Sequence, residues 1–191
     1  MKKQIIGLII FFLLLSPSLF AQNYRKEAVI SPVYIYQQML SFVKEGNYDK
    51  IVKSLPLLED VLNAIKNNFN KDLKILIEEA VSTRDAGRIK KAIYTLIYYD
   101  IKDVFNEVLT NLNTKGFYQL KETLKFAYLD YLLVSPAIRK RNFKIDREIR
   151  KSFVELLGGL LAKAVEEKSS IFIEGKFSKI EENYKSILGI D

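Results

Sequence analysis

The 191-residue chain has no cysteine, no histidine and no tryptophan. Without cysteine there is no disulfide, thiolate metal site, thiol nucleophile, thioether haem attachment or lipid-modified N-terminal cysteine. Without histidine there is no serine–histidine triad in its usual form, no common zinc site and no histidine-containing di-iron helix motif. Catalysis would have to rest on Asp, Glu, Lys, Tyr, Ser or Thr. Proline and glycine are also scarce, at 4 and 8 residues, which argues against a turn-rich β fold. The residues point to no catalytic site, no metal site and no cofactor.

What is present is apolar and mildly basic. Hydrophobic residues make up 49% of the chain, enough for one domain with its own core. The formal net charge is +7. Lys2 and Lys3 open a segment that reads as a secretory signal peptide, Met1 to Ala21. An apolar run from Ile5 to Leu15 follows them, then Ser16-Pro17-Ser18 and a small residue at Ala21. The run is short for a membrane span, which needs about 20 apolar residues; retention as an anchor is the alternative. Cleavage leaves 7 − 2 = +5, a modest excess that does not indicate nucleic acid. The expected location is extracytoplasmic, periplasmic or secreted. Residues 22–30 form a polar lead, and 31–191 a single domain.

That domain reads as all-α. The clearest stripe is Ile93, Ile97, Ile101, Val104, Val108 and Leu112, widened by Leu96, Phe105 and Leu109. The steps of three and four are the helical period. A preceding helix offers Leu73, Leu76, Ile77, Ala80 and Val81, and a turn at Ala86-Gly87 makes the two antiparallel neighbours. Upstream, Ser31-Pro32 opens one helix, and Asn47-Tyr48-Asp49 opens a second that Pro56 kinks or splits. Downstream, Phe117 to Val134 is apolar nearly all round, as a central helix would be, and Ser135-Pro136 ends or interrupts it. Arg139 to Lys144 reads as a basic loop, with Asp146 capping a helix from Arg147 to about Glu167. Gly158-Gly159 mark a bend or a close helix contact. Ser169 to Gly175 reads as a loop or broken turn, and Phe177 to Leu188 as a last helix. The sum is a bundle of about seven helices in antiparallel hairpins.

A glycine, any residue and a bulky apolar residue recur at Gly46-Asn47-Tyr48, Gly87-Arg88-Ile89, Gly116-Phe117-Tyr118 and Gly175-Lys176-Phe177. The first copy, from Lys44 to Ile51, resembles the turn between the paired helices of tetratricopeptide repeats. In the second, Ala80 and Ala92 fall where that family places small residues. The resemblance covers about two hairpins and implies a protein-binding groove without catalysis. The glycines lie 87 − 46 = 41, 116 − 87 = 29 and 175 − 116 = 59 residues apart, so the family's 34-residue period is not kept.

Three constellations could carry function. Asp100 lies within an apolar stripe and Asp130 within the most apolar helix, and a buried carboxylate needs a partner or a raised pKa. With Tyr98, Tyr128 and Tyr131 they form a candidate site for a small ligand or cation; the plain alternative is a satisfied core network. Tyr94, Tyr99 and Tyr118 share those two helices. The third is the basic run Arg139, Lys140, Arg141, Lys144, Arg147, Arg150 and Lys151, with Phe143 and Ile145 between the charges. It suits an anionic envelope component, a membrane surface or an acidic protein face. The expected function is therefore a non-enzymatic, exported interaction protein, working through a groove between hairpins or through the basic run. The alternative is a periplasmic carrier using the Tyr/Asp pocket.

Overall fold

A computed structural model describes residues 31–190. The expected signal peptide and the polar lead fall outside the described residues. Within them the chain is helical, without a strand. The elements are α1 (Pro32–Glu45), α2 (Tyr48–Ser54), a 3-10 turn (Leu55–Leu58), α3 (Glu59–Phe69), α4 (Leu73–Ser82), α5 (Ala86–Thr110), α6 (Phe117–Arg141), α7 (Phe143–Glu155), a π turn (Leu156–Leu160), α8 (Leu161–Glu166) and α9 (Ile171–Leu188). Taking α2–α3 and α7–α8 as interrupted rods gives seven helical rods, the all-α bundle expected from the sequence.

The centre of the bundle is the pair α5–α6. Their mutual contact is the most extensive; α5 also meets α1, α3, α4 and α9, and α6 meets α1, α7, α8 and α9. The α5 stripe is buried as its spacing requires: Ile93, Leu96, Ile97, Ile101, Phe105 and Val108 are all at most 1% exposed. Phe105 stacks on Phe177 with ring centroids 4.0 Å apart, joining α5 to α9. In α4, Leu73, Ile77 and Val81 are buried, but Leu76 turns outward at 38% exposure.

Pro56 splits its helix, one of the two outcomes expected there: α2 ends at Ser54 and a 3-10 turn carries the chain to Leu58. Several other local expectations are corrected. The α4–α5 turn lies at Thr83 to Asp85, and Arg84 rather than Gly87 adopts the left-handed backbone, at φ 52°. Gly87 sits inside the first turn of α5. There a Cβ would come within 3.0 Å of the Asp85 carboxylate, which caps the helix through the Arg88 amide at 2.8 Å. Of the four recurring glycines only Gly46 closes a helix in the left-handed region, at φ 73°. Gly175 is internal to α9, which starts at Ile171, so the expected loop there is mostly helix.

The region around Pro136 differs most. α6 runs through it to Arg141. Proline removes one amide donor, to the Leu132 carbonyl, yet Val134, Ser135 and Ile138 are all buried around it, so packing holds the helix together. A single residue, Asn142, joins α6 to α7 and caps α7 through the amides of Lys144 and Ile145. The basic loop is thus two helix ends, and Asp146 is a buried helical residue, not the cap. Gly158 and Gly159 make no close helix contact and instead sit within the π turn. They lie on the exposed side of the π turn, with nothing within 4 Å of where a Cβ would stand.

Candidate functional site

Helices α1, α5, α6 and α9 converge on a polar cluster inside the bundle. Tyr36 falls on the buried stripe of α1, and its hydroxyl donates to Asp100 Oδ2 at 2.7 Å. Asp130 of α6 is 2% exposed, and its charge acts on both Tyr36 and Tyr184. Its Oδ1 is one of two buried side-chain polar atoms among the described residues that make no hydrogen bond, the other being Asn183 Nδ2. Tyr184 of α9 closes the cluster and donates to the Tyr94 carbonyl at 3.1 Å.

The electrostatics follow from burial. Desolvation lifts the Asp100 carboxyl to about 6, opposed by the Tyr36 hydrogen bond and helped by Asp103. Burial, then the charge on Asp100, push Asp130 well above the usual carboxylate range. Burial and the neighbouring Asp100 push Tyr36 upward too. Burial, with Asp130 next in effect, does the same to Tyr184. Two carboxyl groups within reach of each other's charge in a poorly solvated site do not both ionise easily, so the pair holds a proton toward neutral pH.

Asp100 and Asp130 lie within reach of each other's charge, but of the tyrosines named with them only Tyr98 packs against the cluster, its ring 5.4 Å from that of Tyr184, while Tyr128 packs and Tyr131 hydrogen-bonds elsewhere. Tyr98 faces α9, donating to Glu181 Oε2 at 3.3 Å, an oxygen also 3.3 Å from Lys102 Nζ. Tyr128 is partly buried with its ring 5.1 Å from that of Phe153. Tyr131 belongs to a second network. The partners actually present are Tyr36 and Tyr184. Tyr36 was legible in principle: a hydroxyl on a buried stripe must find an acceptor, and the α5 stripe carries a carboxylate.

The second network is built on Asp146. It accepts from Tyr131 Oη at 2.7 Å, from the Ser135 hydroxyl, from Arg139 Nε at 2.9 Å and from Arg150 Nε. Arg150 also reaches the Ser135 hydroxyl at 2.6 Å. Burial raises the Asp146 carboxyl, but the bonds from Ser135, Tyr131 and Arg139 and the Arg150 charge outweigh it and hold it below its ordinary value. This network absorbs part of the basic run. Arg139 and Arg150 are tied inward, Arg141 donates to the Ile187 carbonyl at the end of α9, and Lys151 lies 3.7 Å from Glu155. Lys140, Lys144 and Arg147 are exposed and make no ion pair among the described residues. Phe143 is exposed, whereas Ile145 packs on the core and is no insertion residue.

A surface feature was not anticipated. Helix α6, apolar nearly all round, buries only one side. Its outer side presents Tyr118, Phe126 and Leu129, exposed by 80%, 52% and 45%, continued by the partly exposed Leu133 and exposed Pro136. Steps of eight, three, four and three put all five on one helical face. The hydropathy of the stretch signalled burial; it did not say which side lacks a neighbour. A separate groove of about 330 Å³ lies between α4 and α5, lined by Leu76, Ala80, Lys91, Ala92 and Thr95 among others. Among the described residues no group of three or more acidic side chains could hold a metal. No protein-family model, curated protein or solved structure matches the chain.

Proposed function

We propose that this chain is an exported, non-enzymatic interaction protein that binds its partner on the outer face of α6 and the adjoining basic corner. The observation that carries this is the run of exposed apolar side chains Tyr118, Phe126 and Leu129 on a helix central to the fold. Several large apolar side chains exposed along one helical face, interrupted only by the Glu122–Lys125 pair, are the kind of surface that marks binding. Its partner class is a protein or an anionic envelope component. The well-satisfied Asp146 network supports a rigid platform beneath the corner rather than a reactive centre.

The test uses the absence of cysteine. A single Leu129→Cys substitution accepts a photo-reactive label at one defined place, and Lys53→Cys provides an exposed control on α2. In the native envelope, adducts at position 129 and not at 53 are expected. Equal or absent labelling at both positions overturns the reading.

The orphaned Asp130 Oδ1 favours a second reading: a carrier whose small cation sits between Asp100 and Asp130. A cation that raises the melting temperature, with the gain abolished by Asp130→Asn, supports it; no cation-dependent gain removes it.

A further inference from the structure

We infer that the occupant of the outer face of α6 is an anionic lipid surface. This rests on the reading above and names its partner.

The geometry suits a plane. The exposed apolar residues run from Tyr118 to Pro136, 136 − 118 = 18 residues apart, or roughly 27 Å at about 1.5 Å per residue. They form a ridge along one helix, not a cleft. A ridge of aromatic and aliphatic side chains with a phenol at one end suits the headgroup boundary, where amphipathic rings settle. Among the described residues no helix is long and apolar enough to cross a membrane, so the contact is along the surface.

The charges choose among occupants. Along the ridge Glu122 and Lys125 pair with each other and cancel. The end of the ridge is then one-signed. Lys140 lies on the same helical face, and Lys144 and Arg147 follow on the first turns of α7, none engaged in an ion pair among the described residues. Phe143 stands exposed among them, with the Arg139 guanidinium 5.9 Å from its ring centre. Free cations next to exposed apolar side chains complement anionic headgroups over an apolar interior. A second copy of the chain would bring a rim of the same net sign, which opposes pairing.

The experiment is co-sedimentation of the protein, produced from the full chain, with phosphatidylcholine vesicles with and without phosphatidylglycerol. Three proteins are compared: the parent, Phe126→Glu/Leu129→Glu, and Lys140→Glu/Lys144→Glu. All four positions are exposed, and circular dichroism and sedimentation velocity establish that each variant is folded and report its subunit number. Binding is expected only with phosphatidylglycerol, weakened at high salt, and at least about tenfold weaker in both variants. Absence of binding, or binding that both variants retain in full, overturns the lipid proposal; the second result would place the contact in another segment. A dimer abolished by Phe126→Glu/Leu129→Glu, without vesicle binding, overturns it in favour of a second copy. Failure with vesicles combined with photo-adducts at position 129 removes the lipid occupant and leaves the interaction reading standing; failure of both removes both.

Discussion

Tyr36 Oη and Asp100 Oδ2 lie 2.7 Å apart, and this one bond ties the first described helix to the central one. It also opposes, without cancelling, the effect of burial on the Asp100 carboxyl. The phenol stabilises ionised Asp100 against burial, and Asp100 in turn raises the proton affinity of Asp130. The cluster is a place where polar groups are only partly satisfied, which is where a fold is most sensitive to pH and substitution.

Tyr36→Phe should raise the Asp100 carboxyl further above about 6, since the lost hydrogen bond favours the ionised form. Stability at neutral pH should fall by about 1–3 kcal/mol, as for a buried acceptor stripped of its donor. The loss should shrink below pH 5, where Asp100 is protonated. Urea denaturation at both pH values checks this.

Asp130→Asn should change the pH dependence. The folded-state pKa values of Asp100 and Asp130 are raised, so the native protein binds more protons than the unfolded chain above the ordinary carboxylate range of about 4. Stability therefore falls as pH rises from about 4 through 6 and beyond. The variant removes the titrating carboxyl that feels the Asp100 charge. It should be more stable than the parent at pH 8, by about 1–3 kcal/mol, and nearly equal at pH 4.5. Equal stability at both values would contradict the coupling.

Asp146→Asn should act in the opposite direction. The Asp146 carboxyl is held below its ordinary value, so its contribution is present above the unfolded pKa and is lost as pH falls through the folded one. Removing the charge leaves Arg139 and Arg150 without their partner. The cost should be about 3 kcal/mol, the low end for a broken buried pair, because both arginines are partly exposed. Thermal unfolding at pH 7 measures it, and the variant should lose less stability than the parent on acidification.

Spacing made the core helices legible. Ile93, Ile97, Ile101 and Val108 needed only the 3.6-residue period. What spacing could not settle was whether an apolar helix is covered on every side; the α6 residues Phe126 and Leu129 look like core in sequence and are surface in space. Local signals also misled where tertiary contacts override them. Pro136 reads as a helix end, yet the buried Val134, Ser135 and Ile138 carry α6 past it. Asp146 reads as a cap, yet Ser135, Tyr131 and two arginines draw it inward. Spacing alone did not decide whether Asp100 and Asp130 meet, and the tyrosines closest to them in function, Tyr36 and Tyr184, lie on α1 and α9, 100 − 36 = 64 residues before Asp100 and 184 − 130 = 54 after Asp130. Only the packing of α5 and α6 against both shows that.

The most direct measurement is the emission of an environment-sensitive fluorophore on Leu129→Cys, with Lys53→Cys as the control, during addition of phosphatidylglycerol vesicles. The account predicts a blue shift at position 129 that high salt reverses, and none at position 53. Unchanged emission at 129, or the same shift at both positions, would contradict it.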